Sequence, residues 1–362
     1  MKPSLFVIVK NRKWGFIDQR GKIVIKPQFN YAHDFFEERA AFKASNGKWG
    51  FIDPNGKVAI QPKFDKVDSF YEQRSAVQIE DKWGFIETNG NFIIEPHFEK
   101  ASRFFEGRAA VSRAGKWRFI DLNGKLITQK EFNYVENYSE GLAAVIFKSQ
   151  DQYEQGFIDL NGQLILETKN VNIDFERARF KNGLVPVYVD DNSSLIGEIL
   201  FGEQPKKKWG FMDTRGKLTI PIKYDMVIPF SECLTTVWVQ GKTGVINNSG
   251  KMVIEPKYDY IDSFFNGIAL VKLNKKYGYI DKNGQILIEP KFHRAGDFSE
   301  GLAPVRIEEN SKFGYINTSG KMVIKPQFDE AYSFINGLAK VTLNNKSGYI
   351  DRTGKIVWLS AI

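Results

Sequence analysis

With 362 residues of which 42% are hydrophobic and 26% charged, the chain has the composition of a folded protein with a substantial core. Its one cysteine, Cys233, excludes an intramolecular disulfide framework and fits a reducing compartment. The formal charge of +8 is a modest excess that admits an anionic partner, and no apolar run approaches the roughly 20 residues needed to cross a bilayer as a helix.

In chain order, the apolar run Leu5 to Val9 is too short for the core of a signal peptide and reads as a first strand, which gives the expectation of a cytoplasmic protein. From there the sequence repeats. A Trp or its replacement falls at Trp14, Trp49, Trp83, Trp117, Gln155, Trp209, Thr243, Tyr277, Phe313 and Ser347, at intervals of 34 to 38 residues except for one of 54. That makes ten copies in a single array over 1–362. Four residues after each Trp position stands Asp, Asn or Glu, and three further on a Gly, as in Asp53 and Gly56. An Asp side chain accepts hydrogen bonds from amides ahead of it, and Gly supplies the positive φ that closes the turn, so each copy holds a β-hairpin around this turn.

A third strand precedes the hairpin, as in Leu142-Ala143-Ala144-Val145, and each copy reads as a three-stranded antiparallel meander. After the hairpin a Pro, as at Pro27, Pro62 and Pro96, is expected to stop the ladder because it lacks an amide hydrogen. Beyond it come two aromatics six apart, such as Phe64 and Phe70, which are expected to pack against the next unit. The Gly after each Trp lets another group approach closely in the strand, although Arg118 takes its place in unit four. No unit is split between the termini, and the copies are shorter than ordinary propeller blades. The expected fold is therefore all-β, with the meanders forming an open β superhelix or solenoid, and a closed β-propeller-like ring as the alternative.

The combination Lys48-Trp49-Gly50-Phe51-Ile52-Asp53 with Gly56-Lys57, followed by Pro62 and Phe64-Asp65, and by Glu-Gly-Leu-Ala at Glu140 to Ala143, resembles the WG repeat, also called KWG. The resemblance covers nearly the whole chain and implies an all-β repeat protein of bacterial type, with no shared catalytic residues to carry over.

Residues that could carry chemistry are sparse. His33, His97 and His293 stand at unrelated repeat positions and read as loop histidines rather than metal ligands. Cys233 lies where other units have Gly and reads as a small filler. The recurring Asp reads as a turn cap rather than part of a calcium loop. No cofactor or enzymatic activity is expected. The leading reading is a non-enzymatic scaffold for another protein. The Lys before each Trp, from Lys13 and Lys48 to Lys346, offers a stripe for nucleic acid as the alternative, and exposed aromatics offer carbohydrate or cell-wall contact as a second. The 54-residue interval carries an insertion at 190–208, with Leu195, Ile196, Ile199, Leu200 and Phe201 in its middle and Lys206, Lys207 and Lys208 at its end. These residues are the candidate partner-binding segment, with a lid folded over unit five as the competing reading.

Overall fold

The structure is a computed structural model and describes residues 4–168, 170–191 and 206–360. The described residues form ten antiparallel sheets without a helix, and the strands of each follow one another in sequence order. They divide into two compact units, one of Met1–Ile127, Phe298–Arg306 and Asn310–Ile362, the other of Thr128–Asp297 and Ile307–Glu309.

The third sheet shows the recurring blade, with strands Lys66–Val67, Arg74–Ile79, Lys82–Glu87 and Phe92–Phe98. It corrects the three-stranded meander: two residues of the expected connector pair in register, Lys66 with Gln78 and Val67 with Val77, and add a short fourth strand. It also corrects the proline stop. The strand Phe92–Phe98 runs through Pro96, and Trp83 pairs with Phe98 beyond it. Between the pairs Phe85 with Ile94 and Trp83 with Phe98 the edge strand carries two extra residues, and Pro96 sits in that bulge, where an amide hydrogen has no ladder partner to lose.

The bulge explains the Gly after Trp. A Cβ on Gly84 would lie 2.4 Å from the carbonyl oxygen of Ile94 and 2.7 Å from the nitrogen of Pro96, and one on Gly50 would meet Ile60 and Pro62 in the same way. The bulged strand folds over a backbone without a side chain, as the sequence suggested. Where Arg118 replaces that Gly the strand does not form: the fourth sheet has three strands, and past Asp121 only an isolated bridge, Ile120 with Leu126, remains.

The turn chemistry follows the expectation. Asp53 Oδ1 accepts from the amides of Asn55 and Lys57, each at 2.9 Å, and Gly56 has φ +80°. This turn also builds the contact between blades. A Cβ on Gly56 would touch Ile25 of the preceding blade at 3.1 Å, and Gly90 meets Ile60 likewise; in the other unit Gly250 meets Ile220. The connector aromatic packs edge to face on the strand behind it, with Phe51 and Phe70 at 4.9 Å and Phe85 and Phe104 at 5.1 Å between ring centroids. Each core cluster therefore draws on two successive blades, one holding Phe51, Ile60, Phe64, Phe70, Val77 and Ile86.

The open superhelix is overturned within the first unit, where the first and last blades are neighbours. Phe6, Ile8 and Ile17 form one buried cluster with Leu338, packed by Tyr349, Val357 and Trp358. Gly21 lies against Val357, the place that an Ile of the preceding blade takes elsewhere, and Gln19 Nε2 donates to the carbonyl of Asn336 at 2.7 Å. The first blade thus packs on the last, the contact expected of the closed β-propeller-like ring and not of the open superhelix. The sequence argument looked for closure by a blade of mixed termini. The strands Phe6–Lys10 and Ile356–Leu359 stay in separate sheets, and the contact is made by side-chain packing between blades rather than by a blade of mixed termini.

Candidate functional site

Two recurring surface features arise from the blade plan. The first involves the Lys stripe. Lys48 Nζ donates to Asp65 Oδ1 at 2.5 Å, Lys208 to Asp225 at 2.6 Å and Lys242 to Asp259 at 2.6 Å, and Lys312 pairs with Asp329 in the same way. Each acid stands 17 residues beyond its Lys, at the entrance to the next blade. Its other oxygen accepts an amide from the next blade's hairpin turn: Glu80 N to Asp65 Oδ2 at 3.1 Å, and Gln240 N to Asp225 Oδ2 at 2.6 Å. The Lys hydrogen bond is the largest influence holding the Asp65, Asp259 and Asp329 carboxyls below the usual range. Four lysines of the stripe, Lys48, Lys208, Lys242 and Lys312, are thus engaged in clamps between blades, and Lys13 Nζ donates instead to Asn30 Oδ1 at 2.7 Å.

The second feature is a row of rings. In the connectors an aromatic doublet splits, one ring going to the core and its neighbour staying out: Phe70 is buried beside Tyr71, and Phe104 beside Phe105. Phe36, Tyr71 and Phe105 stand on equivalent turns of three successive blades, with ring centroids 5.5 Å and 6.5 Å apart. Phe36 is 40% exposed, and Ile335 at the same position in the last blade is 66% exposed. The Arg103 guanidinium covers Tyr71 at 4.4 Å and is held by both oxygens of Asp68, at 3.1 and 3.2 Å. The turns are tied together as well, since Glu37 accepts from Gln73 N at 2.7 Å and Glu72 from Gly107 N at 2.9 Å. In the other unit Phe265 is 60% exposed on a turn whose Asn266 amide donates to Glu232. The row is thus a fixed aromatic surface. The signal in the sequence was the doublet: the two rings of a doublet on an extended chain point to opposite faces, so both cannot be core.

Leu195, Ile196, Ile199, Leu200 and Phe201 lie outside the described residues. The described strands on either side of them are Leu184–Asp191 and Lys206–Asp213, whose last pair is Asp191 with Lys206. Lys207 Nζ lies 4.1 Å above the Tyr188 ring of its own blade, and Lys208 belongs to the clamp with Asp225 at the entrance to the next. The histidines are not brought together. His33 is half-buried against Trp49, with centroids 5.0 Å apart, and burial lowers its pKa; the His97 Nδ1 pairs with the carbonyl of Glu95. Among the described residues no three His, Cys, Asp or Glu are grouped to hold a metal ion. Cys233 is exposed with φ +63°, which corrects its reading as a packing residue: it occupies a left-handed turn position. Trp209 is buried, whereas Trp14, Trp49, Trp83 and Trp117 are half-buried, Trp14 against Tyr31 at 4.3 Å. No helix among the described residues is long and apolar enough to cross a membrane.

Among solved structures, the chain is similar to the one titled crystal structure of the eukaryotic initiation factor, at 11% identity and TM-score 0.55, covering 91% of this chain and 97% of that one. That likeness shows a shared fold alone. Dipeptidyl peptidase 4 of Porphyromonas gingivalis matches at 10% identity and TM-score 0.46 over 89% of this chain and 58% of that one. Hsv2p of Kluyveromyces lactis matches at 14% and 0.35 over 68% and 87%. No curated protein matches the sequence. The repeat that builds the clamps and the ring row is itself diagnostic: residues 14–49, 49–83, 83–117, 117–147, 209–232, 244–277, 277–310 and 313–346 match the family described as WG containing repeat, and the chain belongs to that family.

Proposed function

We propose that this repeat propeller is a non-enzymatic scaffold that docks another protein on the ring row of Phe36, Tyr71 and Phe105. The carrying observation is that three equivalent turns hold these rings side by side at the surface, fixed by Arg103 and by the Glu37 and Glu72 bonds to the following turns. Rigid aromatic anchors beside Arg are what protein interfaces concentrate, because they bury much apolar area at little entropic cost. The exposed thiol of Cys233 fits a cytoplasmic setting, where thiols stay reduced. The test is cross-linking mass spectrometry in extract of the native host with the wild type and with a Phe36→Ser, Tyr71→Ser, Phe105→Ser variant. A partner that cross-links to the wild type and is lost from the variant, with melting unchanged, supports the reading; an unchanged set of cross-links rejects it.

A second reading, binding of nucleic acid, is favoured by other lysines. Lys63, Lys223, Lys257 and Lys291 recur on the edge strands with their ammonium groups over the aromatic ring next in sequence, at 5.3 to 5.4 Å, rather than on carboxylates. Retention on DNA resin that falls steeply between about 50 and 200 mM salt would support it, and absence of retention at low salt would remove it.

A further inference from the structure

The connector turn that holds the ring row ends in two residues of left-handed backbone, and in several blades their amides converge on one carboxylate. Asn182 and Gly183, at φ +53° and +75°, donate to the two carboxylate oxygens of Glu140, each at 2.8 Å. Asn266 and Gly267, at φ +50° and +79°, hold Glu232 likewise, at 2.7 and 3.0 Å. In the first unit the amides of Gly107 and Gly337 donate to Glu72 and Glu300. Each of these turns is a nest for a carboxylate sent by the turn of the preceding blade, since successive amides in such a turn form a small anion-binding concavity.

One nest of the second unit holds no carboxylate. Glu232 and Cys233, at φ +51° and +63°, form the same turn, closed by the bridge of Ser231 with Leu234 as the others are by Lys181 with Leu184 and Phe265 with Ile268. No acceptor meets either amide among the described residues. The sequence gives the reason: where the turns of the preceding and following pairs place Glu140 and Glu232, the turn before this one carries Asn182, which is shorter and uncharged. The Glu232 carboxylate itself is engaged elsewhere, by the next nest and by Lys282 Nζ at 3.0 Å. On the turn before, the exposed Lys181 stands where the ring row has Phe36 and Tyr71, and on the turn after, Phe265 is 60% exposed.

We propose that the nest of Glu232 and Cys233 binds the side-chain carboxylate of an Asp or Glu from a partner protein, in an acidic segment with an apolar residue beside the acid. The chemistry is that of the filled nests: each carboxylate oxygen accepts one amide, in charge-assisted bonds that a neutral side chain does not replace. Lys181 on the turn before favours an anion here, and the Phe265 ring on the turn after offers apolar area to the neighbouring side chain. The inference rests on the reading of the chain as a protein-binding scaffold and gives it a second surface, apart from Phe36, Tyr71 and Phe105.

The test follows the backbone amide resonances of Glu232 and Cys233 in the full chain during titration with acetyl-Leu-Glu-Leu-amide, acetyl-Leu-Gln-Leu-amide and acetate. Saturable shifts of both amides with the Glu peptide are expected, and the Gln peptide should bind roughly tenfold more weakly or worse, because hydrogen bonds to charged groups are the stronger. Acetate should bind more weakly than the Glu peptide; equal affinity would overturn the assignment to a partner by showing a site for a free carboxylate. Asn182→Glu supplies the carboxylate from within, at a backbone angle that Glu140 and Glu232 already adopt, and should raise the melting temperature and abolish the peptide-induced shifts. Phe265→Ser, which serves if the Glu variant does not fold, should weaken the Glu peptide and leave acetate unchanged. Binding should survive in the ring-row triple variant, which separates failure here from failure of the scaffold reading. Absence of shifts in the wild type, peptide binding that persists in Asn182→Glu, or slow exchange of the two amides in the free chain would each overturn the proposal, the last by showing that the chain itself fills the nest.

Discussion

At the scale of residues, two kinds of small side chain have opposite meanings in this repeat. Gly50 and Gly84 are required because the bulged edge strand passes within 2.5 Å of where a Cβ would be. Gly50→Ala should therefore cost about 2–3 kcal/mol or more in urea unfolding, since the obstructing atoms are backbone and have no rotamer to change. A cost near the Gly-to-Ala value of an ordinary strand would show that the bulge yields. Cys233 is the converse case. It holds φ +63° where other turns place Gly, such as Gly107 and Gly267, and it makes no core contact in return. Cys233→Gly should stabilise the protein by about 1 kcal/mol, the strain that a side chain suffers in the left-handed region; unchanged or lowered stability would refute this account.

At the scale of elements, the clamp joins each edge strand to the next blade through one carboxylate. Because the Asp65, Asp259 and Asp329 pKa values are lowered on folding, chiefly by the Lys hydrogen bond, their contribution is present above the ordinary carboxylate range near pH 4 and lost as pH falls through the lowered values. A variant with Asp65, Asp259 and Asp329 all changed to Asn should melt below the wild type at pH 7, and the two should converge as the pH is taken from about 4 downward. A difference in melting that stays constant over this range would mean that the carboxylate charge contributes nothing. The clamp also explains why a recurring lysine misleads about partners: Lys48 and Lys242 are matched by Asp at fixed offset, so each such pair adds nothing to the net charge of +8.

At the scale of the molecule, the decisive contact is the one between first and last blades. The half-buried Trp358 packs on the cluster of Phe6, Ile8, Ile17 and Leu338, so Trp358→Ala should cost about 2–3 kcal/mol, somewhat less than a fully buried Trp. In a closed array its effect should reach the N-terminal blade, with faster amide exchange in Lys13–Ile17 as well as in Ile356–Leu359. Faster exchange confined to Ile356–Leu359 would argue that the ends act independently. Deletion from Leu338 onward would uncover Phe6 and Ile8 at one end and Ile324 at the other, and it should lower stability by more than the loss of one terminal repeat.

The repeat, its turn and its strand types were legible in the sequence because they depend on neighbours within a few residues: Asp53 caps the amides of Asn55 and Lys57, and Gly56 supplies the φ that this turn needs. Arg118 marked the one unit where the close approach over Gly is absent, but that a whole edge strand is lost there appeared only in the structure. The ring row was half legible, in doublets such as Phe70-Tyr71, but which ring faces out depends on the packing behind it. Closure was not legible. Phe6 and Tyr349 meet at 5.6 Å across almost the whole chain, and nothing in a 34-residue unit specifies whether small rotations from blade to blade add up to a meeting of the ends. The sequence determined what a blade is, while only the tertiary structure decided that the first blade lies against the last.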